Sequence, residues 1–338
     1  MTEQLRESYD VVVIGGGAAG LSGALTLARA RRSVLVVDAG APRNAPADGV
    51  HGLLAREGIH PTELLERGRA EVRGYGGQVI HREVGAATRD GDGLAVTLTD
   101  GRAVRARRLL VTSGLADELP DVPGLRDRWG REVIHCPYCH GWEVRDRAIG
   151  VLASGPLSVH QALLFRQWSD DIVFFAHAAR PTAEQAEQLA VRGIRVVDGE
   201  VAALEIVEDR LTGVRLRDGQ LVRREALAVA TRMVARAGFL APLGLRPAAH
   251  PSGLGEHIPA DATGRTEVPG VWVAGNVTDL AAQVGGAAAA GTVAAAAINA
   301  DLVAEETRQA VAAYRDPFSP VSEAQVSELV AGDRRHGW

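Results

Sequence analysis

The run Gly15-Gly16-Gly17-Ala18-Ala19-Gly20 stands between a β-branched stretch, Val11-Val12-Val13-Ile14, and a segment where Leu21, Ala24, Leu25 and Ala28 recur at helical spacing. A second strand, Val34-Leu35-Val36-Val37, follows and ends in Asp38. Strand, glycines, helix, strand and acid in that order make a βαβ unit that binds a dinucleotide. The first glycine permits the tight turn, the second admits a pyrophosphate close to the backbone, and the third lets helix and strand pack closely. The helix N-terminus supplies partial positive charge for the phosphates. Asp38 is placed to accept from a ribose 2′-hydroxyl.

The remainder alternates strands and helices. A loop over 39–60 leads to a helix from Pro61 to about Arg73. Leu94 to Thr99 alternates apolar and polar, Asp100-Gly101 is a hairpin turn, and strand character resumes at Val104. Leu109 to Gly114 reads as another short strand, and Pro120-Asp121-Val122-Pro123-Gly124 as a crossover linker. A second βαβ pattern then repeats the plan. It has strands at Ile149 to Leu152 and Ile172 to Ala176, helices at Val159 to Gln167 and about Thr182 to Val191, and a strand at Arg195 to Val197. A hairpin through Asp218-Gly219 and a strand at Leu227 to Ala230 complete it. Val271 to Asn276 is a strand running into a turn, and Gly285 to Ala300 is an Ala-rich helix suited to tight packing. The polar tail after Asp316, with one weakly amphipathic helix from Val321 to Val330, is assigned no chemistry. At 338 residues the chain accommodates two such domains, each with its own core.

Composition removes several function classes. There is no lysine, which excludes Schiff-base catalysis and P-loop NTPase chemistry. The net charge of -5, without a basic cluster, argues against a nucleic-acid partner. No apolar run nears the eighteen or so residues that span a bilayer, so no membrane partner is expected. Met1 to Asp10 reads as neither a signal nor a transit peptide, and the expected compartment is the cytoplasm.

The chain's two cysteines sit three apart in His135-Cys136-Pro137-Tyr138-Cys139-His140. A lone C-x-x-C without an export signal points to redox chemistry. Cys136-x-x-Cys139-His140 is also the attachment pattern for c-type haem, but that needs export to a haem-ligating compartment. A zinc site would recruit His135 and His140. Each is sequence-adjacent to a cysteine, however, which makes tetrahedral ligation awkward, and no second ligand pair exists. No metal is expected. Two inert buried cysteines fit poorly with neighbours that are Pro, Tyr and two His.

In sequence order these motifs resemble the low-molecular-weight thioredoxin reductase family over nearly the whole chain. The resemblance is carried by GGGAAG with Asp38, by Thr112-Ser113-Gly114, by CPYC, and by Val268-Pro269-Gly270-Val271-Trp272-Val273-Ala274-Gly275-Asn276. It implies an α/β fold of two Rossmann-like, three-layer ββα domains. A discontinuous FAD domain (1–118 and 246–338) flanks an inserted nicotinamide-type domain (119–245) bearing the redox pair. FAD would lie along Gly15, Gly17, Ala18 and Ala19, with Asp38 on the ribose and Val84 near the adenine. The Gly275-Asn276 turn would face the ribityl phosphates, and Gln283 and Val284 the flavin ring. Asn276, where the family usually has Asp, would keep an acceptor there. Ala39, Arg43, Asn44, His51, Thr112, Ser113 and Gly114 complete the implied FAD site. The family also implies a homodimer.

Two departures carry more information. The inserted domain should hold NADPH on its own glycine loop, but Val151-Leu152-Ala153-Ser154-Gly155-Pro156 keeps one glycine of that fingerprint. β-Carbons at Ala153 and Ser154 obstruct a pyrophosphate and Pro156 removes an amide donor. Phe175-Ala176-His177-Ala178-Ala179 stands where a basic pair would hold a 2′-phosphate. Both argue against NADPH. In addition, C-P-Y-C-H-G-W-E, with Arg43-Asn44-Ala45-Pro46 and His51-Gly52-Leu53-Leu54, is similar to the FAD-dependent dithiol oxidases of gliotoxin, holomycin and romidepsin biosynthesis. That similarity implies electrons flowing from a small natural-product dithiol through Cys136–Cys139 to FAD and on to O2, giving H2O2. Cys136 would be the sulfur attacked by substrate, Cys139 would lie against the flavin, and His140, then His135, would be the base. An NAD(P)H-dependent thioredoxin or disulfide reductase is the alternative.

Overall fold

In the computed structural model, which describes residues 5–316 and 320–333, side chains alternate along Ser8–Ile14 to the two faces of a sheet. Val11 and Val13 join one core with Leu21, Leu27, Leu65 and Leu302, while Val12 and Ile14 join another with Leu94, Val96 and Leu98. Val34 and Val36 follow the first pair, and Leu35 and Val37 the second. Burial on both faces suits a parallel sheet covered on both sides. Its strands run in the order Gln78–His81, Val34–Asp38, Ser8–Ile14, Ala103–Val111 and Val271–Val273, all parallel. The helices Ala18–Arg29, Pro61–Gly74 and Val284–Arg315 cover one face. An antiparallel meander of Val84–Asp90, Gly93–Leu98 and the N-terminal half of Ala103–Val111 covers the other. The result is the expected three-layer ββα arrangement.

The nine-residue strand Ala103–Val111 serves both layers: Ala103–Ala106 pair with the meander and Leu109–Val111 with Val271–Val273. In sequence it reads as two strands because Arg105, Arg107 and Arg108 interrupt the apolar pattern. Arg107 and Arg108 instead reach acidic groups on the long helix. Arg107 bonds Glu306 at 2.8 Å, and Arg108 bonds Asp301 at 2.7 Å and Glu305 at 2.8 Å. These pairs hold the helix beyond Ala300, out to Arg315, longer than expected. By length and composition this helix could cross a membrane. Here, however, its buried residues Ala287, Gly291, Ala294, Ala295, Ile298 and Leu302 pack in the core of the first unit.

The helix contact at Gly291 leaves no room. A β-carbon there would stand 2.0 Å from the carbonyl oxygen of Ala19, a backbone atom of the neighbouring helix. Gly291→Ala must push the two helices apart, and an expected loss of about 1–3 kcal/mol from such overpacking is read as a lowered denaturation midpoint.

The inserted unit repeats the plan. Its parallel sheet runs Arg195–Val197, Ile172–Phe175, Ile149–Leu152, Ala226–Val229 and Val133–Ile134. The helices Ser158–Phe165 and Ala183–Val191 lie on one face and the meander Val201–Val207, Arg210–Leu216 and Leu221–Arg223 on the other. Thr182 and Gln185 form a reciprocal capping box that starts the second helix. The chain leaves the first unit through Leu115–Glu118 and returns through Arg232–Ala235, and these two segments pair antiparallel with each other. The return thus precedes the expected boundary at 245. Ala237, Leu240 and Leu245 are apolar and pack into the core of the first unit, which draws 236–245 out of the insertion.

Candidate functional site

The glycine loop is shaped by what lies against it. Gly15 has φ +105°, and a β-carbon there would meet the Thr112 carbonyl oxygen at 2.4 Å. The Thr112 hydroxyl donates to the carbonyls of Ile14 (3.1 Å) and Gly15 (2.8 Å), pinning the turn to the neighbouring strand end. Gly17 caps the helix Ala18–Arg29 with no side-chain hydrogen bond, and nothing would lie within 4 Å of a β-carbon there. Gly17, Ala18 and Ala19 at this helix start line the cavity, which suits the cradle a pyrophosphate needs. Asp38 accepts from Arg69 (2.8 Å) and the Gly40 amide (3.2 Å). Burial raises its pKa, but these bonds outweigh burial and hold the carboxyl below its ordinary range. Asp38 is a fixed anionic acceptor.

The redox pair follows the short edge strand Val133–Ile134. Cys136 caps a single helical turn, Pro137–His140, and the amides of Cys139 and His140 both donate to its carbonyl at 3.2 Å. A helical turn takes about 3.6 residues, so the i, i+3 spacing of Cys136 and Cys139 sets the two sulfurs on the same side of this turn. Tyr138 meets Trp168 edge to face with centroids 5.9 Å apart. Gly141 lies against that indole, 2.7 Å from where its β-carbon would be. Both cysteines are half-buried free thiols. The Cys139 thiol donates to Cys136, and although burial opposes it, this bond lowers Cys136 to about 7, helped by the amides of Cys139 and Tyr138 and the charge of Arg43. Cys139 is pushed up by the same hydrogen bond and by burial. In the reduced pair Cys136 is the sulfur that ionises first and Cys139 the one that keeps its proton.

His140 follows directly. Among the described residues, both its ring nitrogens are buried without a hydrogen-bond partner. Burial lowers its pKa and the neighbouring His51 lowers it further, against opposing pulls from Glu143 and Asp48. His135 is also lowered, by burial, Arg43 and His140, against Asp117. Both imidazoles are neutral at neutral pH. His51 is held by Glu57 at 2.7 Å and approaches Glu143 at 3.5 Å, bridging the 39–60 loop and the segment after the cysteines.

One cavity of about 1010 Å³ collects these parts. The expected catalytic and FAD-site residues line it: Gly15, Gly17, Ala18, Ala19, Asp38, Ala39, Arg43, Asn44, His51, Val84, Thr112, Ser113, Gly114, His135, Cys136, Cys139, His140, Gly275, Asn276, Gln283 and Val284. The long helix begins there too, with Gln283 as an N-cap that makes no side-chain bond. Asn276 does more than keep an acceptor. Its amide nitrogen donates to the carbonyls of Ala282 (2.9 Å) and Asp279 (3.0 Å), bonds a carboxylate could not donate, and so staples the loop ahead of the helix.

Other residues with a bearing on the site gave no sequence signal. Asp117 accepts from both Nε (2.6 Å) and Nη2 (2.7 Å) of Arg43, a residue 74 positions away. Gln161 donates to the His135 carbonyl at 2.7 Å, steadying the approach to Cys136. In the inserted unit the buried Ser158 hydroxyl accepts from the amides of Ser154 (3.1 Å) and Gly155 (3.2 Å), and Ser154 Oγ donates to Ala230 O at 2.6 Å. His177 Nδ1 accepts from the Val201 amide at 3.0 Å.

The pyridine nucleotide-disulphide oxidoreductase model matches residues 9–310. A curated relative, thioredoxin reductase tcpT of Claviceps purpurea, is 30% identical over 88% of this chain and 95% of its own. The crystal structure of HlmI superposes with a TM-score of 0.87 at 47% identity, covering 92% of this chain and 98% of that one. An oxidoreductase from Agrobacterium tumefaciens superposes at 0.82 with 34% identity, over 88% and 99%. Thioredoxin-reductase-like members of this family bind FAD, and the uncapped helix, the open space at Gly17 and the fixed carboxylate of Asp38 fit that cofactor. The chain belongs to the pyridine nucleotide-disulphide oxidoreductase family as a thioredoxin-reductase-like flavoenzyme.

Proposed function

We propose that this flavoenzyme is a dithiol oxidase, closing an intramolecular disulfide in a small natural-product dithiol. The observation that carries this reading is the loop Ala153–Pro156 of the inserted unit. Amides that would bind a nicotinamide dinucleotide's phosphates are already satisfied by Ser158 from within the fold. This supports entry of electrons at the redox pair rather than from NADPH. The run Cys136-Pro137-Tyr138-Cys139-His140-Gly141-Trp142-Glu143, similar to dithiol oxidases of gliotoxin and holomycin biosynthesis, supports the same direction.

The residues divide the work as follows. With the pair oxidised, a substrate thiolate attacks Cys136 Sγ and the Cys136–Cys139 bond breaks, leaving a mixed disulfide. The second substrate thiolate attacks the substrate sulfur and expels Cys136. A thiol lowered to about 7 is the better leaving group of the two. Substrate thiols have a pKa of about 8.5, and the neutral, partner-free imidazole of His140 takes their proton. His135, beside Arg43, is the less suited base, because a positive neighbour opposes its protonation. FAD held by the Gly15–Ala19 loop and Asp38 would supply the two-electron acceptor between the Cys136–Cys139 dithiol, which returns to its disulfide, and O2, so that overall the substrate dithiol plus O2 would give the cyclic disulfide plus H2O2.

Anaerobic mixing of the yellow holoenzyme with NADPH tests the direction. The expected spectrum is unchanged over minutes, whereas a small dithiol bleaches it and, in air, consumes oxygen and yields peroxide. Rapid bleaching by NADPH would establish the reductase instead.

A further inference from the structure

We propose that Arg43 is a positioning residue for the redox pair: anchored through Asp117 and Thr231 at the crossing between the two units, it presents a fixed positive charge to Cys136 and Cys139. The anchor is built from three separate segments. Arg43 lies in the loop after Asp38, Asp117 on the outgoing segment Leu115–Glu118, and Thr231 immediately before the returning segment Arg232–Ala235. Arg43 engages Asp117 through two parallel bonds, and the Thr231 hydroxyl donates to the same carboxylate at 2.6 Å. The Asp117 side chain is 5% exposed, so its charge has little solvent to share. A two-pronged guanidinium contact fixes direction as well as distance, unlike a point-charge contact.

Arg43 and Asp117 line the same cavity as His135, Cys136, Cys139 and His140. Burial opposes ionisation of Asp117, but Arg43 and Thr231 outweigh it, so the anchor stays charged. The Arg43 charge favours the anionic form of both cysteines and disfavours protonation of His135. Asp117 acts on His135 as well, but its bonds to Arg43 and Thr231 hold the cation in place there. His135 lies within the field of both members, and Glu143, His51 and Asp48 act on the neighbouring His140. The inference holds whichever way electrons flow.

The test reads Cys136 directly. Fully reduced holoenzyme, desalted without oxygen, is treated with iodoacetamide across a pH series, and Cys136 modification is followed by peptide mass spectrometry. Arg43→Gln is expected to slow modification at pH 7 by about 3–10-fold and to move the midpoint to higher pH, since loss of an adjacent cation disfavours a thiolate. Arg43→Lys restores most of the rate. Asp117→Asn, whose Oδ1 still accepts from Arg43 and keeps it in place, removes only the anionic charge and leaves the midpoint where it is or lower. A purely structural ion pair predicts that Arg43→Gln and Asp117→Asn behave alike. That result, or an unmoved midpoint in Arg43→Gln with its fold intact by circular dichroism, would overturn the proposal.

Discussion

Cys136→Ser lowers dithiol-dependent oxygen uptake by at least about 10³-fold, because a serine oxygen cannot enter the disulfide through which electrons leave the substrate. The loss falls on kcat and leaves the visible flavin spectrum intact, since the cradle at Gly15, Gly17 and Asp38 is untouched. Cys139→Ser is equally silent in turnover. Cys139→Ala removes the side-chain donor whose hydrogen bond lowers Cys136 to about 7, so in that variant Cys136 alkylates more slowly at neutral pH, whereas the serine hydroxyl of Cys139→Ser still donates to it. A Cys136→Ser enzyme keeping a tenth of the activity would remove the pair from the reaction.

His140→Gln lowers the rate by about 10²–10⁴-fold, the range lost with a general base. The pH profile separates this from a packing defect. In the parent enzyme the active form is the neutral imidazole, and burial first, with His51, depresses its pKa. Activity therefore rises with pH through a midpoint below 6.5 and is flat above it until other groups titrate. That acidic limb disappears in His140→Gln, while His135→Gln retains it. The same depression sets a stability window. His135 and His140 both take up protons in the folded state at lower pH than in the unfolded chain, so their full contribution is present above about 6.5 and is lost as pH falls below it. A pH profile indistinguishable from the parent's in His140→Gln would reassign the base.

Local chemistry was legible and long-range chemistry was not. The fingerprint at Gly15 to Gly20 and the pair at Cys136 and Cys139 are short runs whose spacing fixes a turn, so sequence alone located both. Gln283 and Val284 came from the family pattern, and they open the long helix at the cavity. What escaped were partnerships between distant segments. Nothing near Arg43 announces Asp117, nor does anything near Ala103–Val111 announce that one strand belongs to two layers. Asn276 was visible as an acceptor, but its donor role depends on how the loop 279–282 folds back. Ser158 was overlooked because a serine at the start of a helix is ordinary. It takes on meaning only when its hydroxyl is seen under the amides of Ser154 and Gly155.

That hydroxyl also sets the order in which a reductase could be rebuilt on this scaffold. Glycines restored at 153 and 154 would widen a loop whose donors remain committed, and a pyrophosphate would still have to compete with a ligand tethered to the same chain. Under the proposed reading, the first step in recovering nicotinamide dependence is the removal of one oxygen atom at Ser158, and the glycines come second.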